Sequence, residues 1–318
     1  MRMARGKKRR WLGISISVAL VLTVGAVSIA GYFYWSMKAT AKEIYRPLPS
    51  ERPRYVSSDK EIPADPEPPV TDRLSPFSVL LLGVDERRND RGRSDTIMVM
   101  TVNPNNRTVL MFNIPRDTRT ELVYRDMEDK INHAYAYDGV EGSLATVEKF
   151  LDMPIDYYVE INMEGFKQIV DTLDGVDVDN PFAFDYEGES FPAGPQHLNG
   201  EKALKYSRMR YDDPRGDFGR NDRQKQVATD IIKRATSWTN TSSLLPILDA
   251  VGDHVRTNLS FGEIQDIALK YRKKLDRIES TFVEGKGSMI NGVYYYLVEQ
   301  AERNRLHDLI KNQLQAES

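Results

Sequence analysis

Arginine and aspartate side chains concentrate in three short segments of the chain. The first covers residues 83–96, the second covers 114–118 and the third covers 207–224. Each segment adjoins an apolar run typical of a buried strand or helix, so the charges are predicted to lie at element ends. An arginine fork binds two phosphate oxygens at once, which lysine cannot do. A preference for arginine therefore favours a phosphate or diphosphate ligand.

The spacing within the third segment brings its side chains together. Arg208 and Arg210 are two residues apart, so an extended backbone would place both on one face. Arg220, Arg223 and Gln224 are three and four residues apart, which predicts one face at the start of a helix. The segment therefore predicts an arginine cluster with a neighbouring side-chain amide.

The start of that helix would add to the attraction for an anion. Asn221 or Asp222 can cap the helix, and its N-terminal N–H groups favour negative charge. The alternative is a solvated surface, where arginines form loose ion pairs that contribute little to stability. The segment alone leaves both interpretations open, whereas Arg87, Arg88 and Arg107 are assigned to the ordinary surface.

Asp85 and Asp95 are candidate metal ligands. Each follows or begins an apolar strand, so both carboxylates could project from one edge of a sheet. Mg²⁺ favours one or two carboxylates together with phosphate oxygens, and Mn²⁺ accepts the same ligands. The ion would polarise the phosphorus and offset charge on a leaving group. Capping of strand ends is the alternative role for the two aspartates, and their positions alone do not exclude it.

The apolar residues predict strands that alternate with helices. Patterns typical of strands cover residues 77–82, 96–102, 108–114, 157–161, 281–283 and 293–298, and the second and third of these form a hairpin. Helical spacing covers residues 143–151, 163–173, 222–236, 244–255, 261–275 and the C-terminus. The alternation predicts one layered α/β domain with a mixed sheet, over residues 77–318.

The N-terminus predicts a membrane anchor. Six of the first ten residues are Lys or Arg, and residues 11–35 follow without a charge. About 20 apolar residues cross a bilayer core, and the basic side stays in the cytoplasm. A cleaved signal peptide is the alternative, because residues 39–41 resemble a cleavage site, but signal h-regions span only about 7–15 residues. We therefore expect a cytoplasmic tail at 1–10, a transmembrane anchor at 11–35 and a single-pass type II protein of the cell membrane.

The remaining composition limits the chemistry. Residues 36–76 are polar and rich in proline, which predicts a semi-extended extracytoplasmic linker. The chain of 318 residues has no cysteine, which excludes thiol catalysis and disulfides, and its four histidines lack metal-site spacing. A formal net charge of -3 predicts no general attraction to polyanions such as nucleic acid.

The charged segments resemble the motif set of the LytR-CpsA-Psr (LCP) family. The similar residues are Gly-Val-Asp at 83–85, Arg-Ser-Asp-Thr at 93–96, Ile-Pro-Arg-Asp-Thr at 114–118, Ser-Arg-Met-Arg at 207–210 and Gly-Arg-Asn-Asp-Arg-Gln at 219–224. Their order and spacing fit the family, and residues 129–135 and 197–204 resemble its intervening signatures. The resemblance implies a three-layer α-β-α domain around the mixed sheet, with an apolar tunnel for a polyprenyl chain.

The resemblance also implies an activity. It implies transfer of a glycopolymer, expected to be wall teichoic acid, from undecaprenyl diphosphate to the muramic acid hydroxyl of peptidoglycan. Such an enzyme is a phosphotransferase of cell wall biogenesis. Its implied partners are the lipid-linked glycopolymer, peptidoglycan and membrane lipid, with no role for nucleic acid.

The family's functional residues carry over to the matching positions of this sequence. Asp85, Asp95 and Arg116 would be catalytic, and the two aspartates would hold Mg²⁺. The implied diphosphate-binding residues are Arg93, Arg116, Arg208, Arg210, Arg220, Arg223 and Gln224. The general base stays open between Asp85 and the metal site. Tyr211 stands where the family pattern has a charged residue, which leaves the glycopolymer preference open.

Two other functions would use the same residues. A hydrolase would cleave a lipid diphosphate with water, so only the acceptor distinguishes it from a transferase. A protein without enzymatic activity would hold an anionic wall polymer or bind nucleic acid as a regulator, and an extracytoplasmic body argues against the second role. Loss of Asp85 would abolish turnover in an enzyme and would leave the affinity of a pure binder largely intact.

Overall fold

A six-stranded mixed sheet lies at the centre of the protein. The computed structural model describes residues 34–36, 38–49, 55–59, 74–85, 92–237, 252–271 and 274–315. The strands of the whole domain are β1 (Phe77–Val84), β2 (Ser94–Asn103), β3 (Thr108–Asn113), β4 (Arg119–Leu122), β5 (Met127–Lys130), β6 (Tyr157–Asn162), β7 (Val176–Asn180), β8 (Phe184–Tyr186), β9 (Glu189–Phe191), β10 (Gly194–Leu198), β11 (Val255–Thr257), β12 (Arg277–Ser280), β13 (Lys286–Ile290) and β14 (Val293–Leu297). Its helices are α1 (His133–Leu151), α2 (Met163–Thr172), α3 (Gly200–Arg208), α4 (Asp217–Ser237), α5 (Phe261–Asp266) and α6 (Gln300–Gln315).

The order of strands in the central sheet is β11, β6, β1, β2, β3 and β12. β1 pairs antiparallel with β2 and parallel with β6, while β3 pairs antiparallel with β2 and parallel with β12. β1 lies inside the sheet because its sequence, FSVLLLGV, is a continuous apolar run that can be buried on both faces. The predicted α/β fold with a central mixed sheet is confirmed, and so is the β2–β3 hairpin.

Helices cover both faces of the central sheet. Leu80 and Leu82 of β1 pack with α1 and α6 in the larger core, which also contains Leu144 and Leu306. Because side chains alternate along a strand, Leu81 points to the opposite face, where α2, α3 and α4 lie. A second core joins those three helices to strands β7 to β10. The layers are therefore helix, sheet and helix.

The helix that carries Arg220, Arg223 and Gln224 begins earlier than expected. α4 begins at Asp217 rather than at residue 222, directly after Gly216, whose φ of +57° is a left-handed turn. The sequence pattern missed this first turn because Phe218 is the only apolar side chain before Val227, so no apolar period is visible there. Asn221 and Asp222 therefore lie inside α4, and the expectation that one of them caps the helix is wrong.

Other boundaries also differ from the prediction. α1 begins at His133 rather than at residue 143, because Gly139 at φ +66° kinks the helix and interrupts its apolar period. The strand expected at 281–283 lies four residues earlier, as β12. α5 ends at Asp266 and continues as a π-helical turn over Ile267–Tyr271. Most of the helix predicted at 244–255 lies outside the described residues.

Parts of the predicted linker pack against the body. Ile44 is only 3% exposed, and the N–H of Arg46 donates a hydrogen bond of 2.7 Å to the carbonyl of Thr257 on β11. The hydroxyl of Tyr55 donates a hydrogen bond of 2.9 Å to Asp152 at the end of α1. These two stretches are therefore fastened to the folded domain, whereas a free spacer would make no such contacts.

The predicted membrane segment falls almost entirely outside the structure. The tail at 1–10 and residues 11–33 of the anchor lie outside the described residues. Within the described ranges, no helix combines the length and the apolar character that crossing a bilayer requires.

Candidate functional site

A cavity of about 410 Å³ lies between the central sheet and helices α2, α3 and α4. This volume is within the range of sites for small ligands. Seven predicted site residues line it: Asp85, Asp95, Arg116, Arg208, Arg210, Arg220 and Gln224. The apolar lining includes Met98, Met100, Phe166, Ile169, Val227, Ile231 and Ile232. The structure therefore brings most of the predicted charged residues to one site.

The cavity is polar at one end and apolar at the other. Along β2, the lining changes from Asp95 to Met100, a rise of about 17 Å. Along α4, it changes from Arg220 to Ile232, a rise of about 18 Å. Thr229 of α4 contacts Met111 of β3, which pairs with Met100 of β2. The apolar end of α4 therefore lies level with the apolar end of β2, and the two elements run in the same direction. Charge and apolar surface are therefore separated along one axis.

Arg116 follows β3 and reaches across to the start of β2. Its Nη1 donates a hydrogen bond of 2.8 Å to Oδ1 of Asp95. Burial opposes the charge of Arg116, but the carboxylates of Asp95, Asp217 and Asp117 outweigh that effect and raise its pKa. The guanidinium is therefore charged and fixed beside the second predicted metal ligand.

Arg220 is the most buried charged group that lines the cavity. It is 5% exposed, its Nη2 forms an ion pair of 2.7 Å with Oδ1 of Asp217, and its Nε finds no hydrogen-bond partner among the described residues. Burial lowers the pKa of Arg220, and the neighbouring charges of Arg116 and Arg210 act in the same direction, against Asp217. Leaving the Nε–H of a buried guanidinium unpaired is costly, so an anion with several oxygens would be bound strongly there.

Arg208 and Arg210 reach the cavity by a different route from the predicted extended backbone. Arg208 is the last residue of α3, and Arg210 follows it after Met209. The Met209 side chain is fully buried in the second core, which turns the residues on either side of it towards the cavity. Nη1 of Arg208 lies 3.4 Å from the carboxylate of Glu187, so this arginine is held at the rim.

Gln224 is oriented by Asn113, which the sequence did not single out, and by the backbone of Ser207. Nδ2 of Asn113 donates a hydrogen bond of 2.8 Å to its Oε1. Its Nε2 lies 3.5 Å from the carbonyl of Ser207, which makes a weak contact. The side-chain amide therefore keeps donor capacity on the side of the cavity. The available signal was a lone asparagine at the end of an otherwise apolar strand, TVLMFN.

Arg223 does not line the cavity. Its guanidinium is 1% exposed and donates to Oδ2 of Asp213 at 2.6 Å and to the carbonyls of Tyr206 and Met209 at 3.0 and 2.5 Å. In a helix of 3.6 residues per turn, Arg223 is rotated by about 60° from Arg220, which lies on the face of α4 that lines the cavity. Its contacts join α4 to the end of α3, so it positions the neighbouring arginines and does not face a ligand.

Asp85 and Arg93 lie where β1 and β2 meet. Asp85 lines the polar end of the cavity, and its N–H donates to the carbonyl of Arg93 at 3.3 Å. The side chain of Arg93 is exposed and is not part of the cavity lining. The structure therefore brings Asp85 into the site together with Asp95 and leaves Arg93 at its edge.

The two aspartates fit a metal that takes its other ligands from a phosphate. Within the described ranges, no group of three or more His, Asp or Glu side chains could hold a metal ion. Mg²⁺ needs only one or two carboxylates when phosphate and water oxygens complete its shell. Asp85 and Asp95 line the same end of the cavity as the arginines, so the donor set suits Mg²⁺ bound together with a diphosphate.

Comparison with known proteins agrees with the motif set. The chain is 41% identical over 312 residues to the polyisoprenyl-teichoic acid–peptidoglycan teichoic acid transferase TagU of Bacillus subtilis (strain 168), covering 98% of this chain and 97% of that protein. It is 44% identical over 306 residues to the protein of the same name from Halalkalibacterium halodurans, covering 94% and 98% of the two chains. A solved structure described as TagT bound to LI-WTA is similar with a TM-score of 0.69 and 30% identity, covering 85% of this chain and 99% of that chain. The model of the LytR_cpsA_psr family matches residues 31–312, and this chain therefore belongs to the LytR-CpsA-Psr family.

Proposed function

We propose that this protein transfers wall teichoic acid from a polyprenyl diphosphate carrier to peptidoglycan. The observation that carries the proposal is the meeting of four arginines and two aspartates at the polar end of a half-apolar cavity, with the buried Arg220 among them. A diphosphate would accept hydrogen bonds from the arginines, and a polyprenyl chain would fill the apolar half. The names of the relatives, teichoic acid transferases of peptidoglycan, support the same donor and acceptor.

The cavity supports a lipid-linked donor. Its polar end holds four arginines, which favour the two phosphates, and its lining becomes apolar along β2, over a rise of about 17 Å from Asp95 to Met100. Met98 and Met100 on the sheet face Val227 and Ile231 on α4 across this part of the cavity. An unbranched, flexible side chain such as Met adapts to an irregular apolar ligand. The lipid therefore lies between the sheet and α4, with the diphosphate at the arginines.

The transfer is a displacement at phosphorus. A hydroxyl oxygen of the peptidoglycan glycan attacks the phosphorus on the sugar side, and the bond from that phosphorus to the bridging oxygen breaks. Polyprenyl monophosphate leaves, the polymer is joined to the wall as a phosphodiester, and the hydroxyl proton is released. Arg116 and Arg220 stabilise the charge that develops on the leaving phosphate, so catalysis consists mainly of positioning and electrostatics.

Asp85 and Asp95 would hold Mg²⁺, or Mn²⁺, beside the diphosphate. The ion would polarise the phosphorus and offset negative charge on its oxygens. Arg116 holds Asp95 in place through the 2.8 Å hydrogen bond, so the arginine and the metal ligand are positioned together. Three residues of this chain, Asp85, Asp95 and Arg116, therefore form the catalytic group of the proposal.

We further propose that residues 11–35 anchor the protein in the cell membrane with its body outside. The uncharged stretch and the basic tail before it support this topology. The donor lipid would then be confined to the same membrane as the enzyme, which raises its effective concentration without any new contact.

The full chain in detergent micelles tests the proposal. It is incubated with a short synthetic glycan on polyprenyl diphosphate, Mg²⁺ and peptidoglycan oligomers, and mass spectrometry follows both products. We expect a phosphodiester-linked adduct that Arg116→Ala and Asp85→Ala abolish. Arg125→Ala is the matched control, because Arg125 pairs with Asp138 on the surface and not in the cavity.

Other results would replace the proposal. Polyprenyl monophosphate without an adduct would make the protein a hydrolase of lipid diphosphates. Tight donor binding without turnover, unchanged in Asp85→Ala, would make it a binding protein for the wall polymer.

A further inference from the structure

Asp217 lies among the arginines but is not part of the cavity lining. Its Oδ1 is 2.7 Å from Nη2 of Arg220 and 3.6 Å from Nε of Arg210. Both carboxylate oxygens are buried, and neither has a hydrogen bond of good geometry to any residue that the structure describes. Asp217 therefore offsets the charge of two arginines, through an ion pair with Arg220 and a longer contact with Arg210, and it leaves the Nε–H of Arg220 available to a ligand.

The position of Asp217 is fixed by its own neighbours. The left-handed turn at Gly216 begins α4, and Asp217 occupies its first turn, where the helix amides favour a carboxylate. The next residue, Phe218, packs edge-on against Tyr296 with ring centroids 5.5 Å apart. The carboxylate is therefore held beside the arginines by the fold, without help from a ligand.

We propose that Asp217 is a positioning residue that aligns Arg210 and Arg220 and limits how tightly the site holds phosphate. This inference rests on the proposed function, because it concerns the same donor and product. A diphosphate brings negative charge to guanidinium groups that Asp217 already partly neutralises, so the fixed carboxylate opposes its binding. After transfer, the same opposition speeds release of polyprenyl monophosphate.

The test compares Asp217→Asn with the wild-type full chain in detergent micelles. The asparagine keeps the shape of the side chain and removes its charge. Isothermal titration calorimetry measures the affinity for inorganic pyrophosphate and for a short-chain polyprenyl monophosphate. We expect both affinities to rise about tenfold, because a repelling charge several ångströms away is removed. We also expect kcat to fall, since product leaves more slowly, while Asp217→Glu retains wild-type values.

A matched control lies on the same helix. Asp222 has a side-chain exposure of 19%, against 18% for Asp217, and it pairs with Arg215 and Lys225 instead of the cavity arginines. We expect Asp222→Asn to leave both affinities unchanged.

Two results separate this inference from the proposed function. If Asp217→Asn binds pyrophosphate no more tightly than the wild type, with or without a lower melting temperature, the residue is only structural and the inference is overturned. If the wild-type protein itself binds neither pyrophosphate nor the monophosphate, the proposed function fails instead.

Discussion

Asn113 at the end of β3 donates a hydrogen bond of 2.8 Å to Gln224 on the cavity face of α4. The bond occupies the carbonyl oxygen of Gln224 and so decides which side of its amide faces the ligand. It also joins the sheet to the helix at the boundary between the polar and the apolar parts of the cavity. Asn113 is therefore expected to act on catalysis through Gln224, without contact to the donor.

Asn113→Ala should lower transfer by roughly 3- to 10-fold, which corresponds to the loss of one neutral hydrogen bond. Gln224→Ala should lower it by a similar factor, and the double variant should be no slower than the slower single variant. A double-mutant cycle on kcat/KM measures this coupling. Fully additive effects would show that the two residues act independently.

Arg220→Lys should lower transfer by at least tenfold, although the positive charge is retained. A charge-assisted hydrogen bond contributes about 1.5–3 kcal/mol, which corresponds to roughly 10- to 150-fold in rate. Lysine is a point charge that cannot bind two phosphate oxygens as a fork, so it should not replace the arginine. Steady-state kinetics with the synthetic donor measure the effect, and Arg125→Lys on the surface is the control. Wild-type activity in Arg220→Lys would contradict the role assigned to the guanidinium of Arg220.

Arg223→Met should mainly destabilise the protein. Breaking a buried ion pair such as Arg223–Asp213 costs about 3–5 kcal/mol, because one charge is left without a partner. For a domain of this size, that loss lowers the melting temperature by roughly 6 to 20 °C. Differential scanning fluorimetry measures the shift, and Asp213→Asn in the same chain should restore part of it. An unchanged melting temperature together with lost donor binding would instead make Arg223 a diphosphate ligand.

Ala228→Phe should discriminate between donors by the length of their lipid. Ala228 lines the cavity next to Val227, four residues beyond Gln224, so a phenyl ring there would occupy space in the apolar half. We expect KM to rise for a long polyprenyl donor and to stay near the wild-type value for a donor with a short prenyl group. Kinetics with both donors measure the difference. An equal effect on both would place the lipid outside this cavity.

The sequence predicted the composition of the site because its signals are local. Arginine in place of lysine, and aspartate at the ends of apolar runs, could be recognised without knowledge of the fold. Asp85, Asp95 and Arg116 lie at or beside the ends of three different strands, and the order of β1, β2 and β3 in the sheet brings those ends together. The same reasoning predicted the mixed sheet, since strands and helices alternate clearly along the chain.

The sequence did not separate residues that face the cavity from those that support it. Arg220 and Arg223 differ only by rotation about α4, and the true start of that helix is hidden because its first turn shows no apolar period. Asn113 reaches Gln224 across 111 residues of sequence, so its role depends on tertiary packing alone. Asp217 resembles an ordinary first-turn acid until its distance to Arg220 is known.

The separation of charge and apolar surface along the cavity has a consequence for competing metabolites. Nucleotide sugars are also diphosphates, and the arginines could bind their phosphate groups equally well. Their hydrophilic base and ribose would have to shed water to lie against Met98, Met100 and Val227, or leave that part of the cavity wet. A cavity of this shape therefore favours a diphosphate that carries an apolar group over one that carries a hydrophilic group, and the difference is the cost of dehydration.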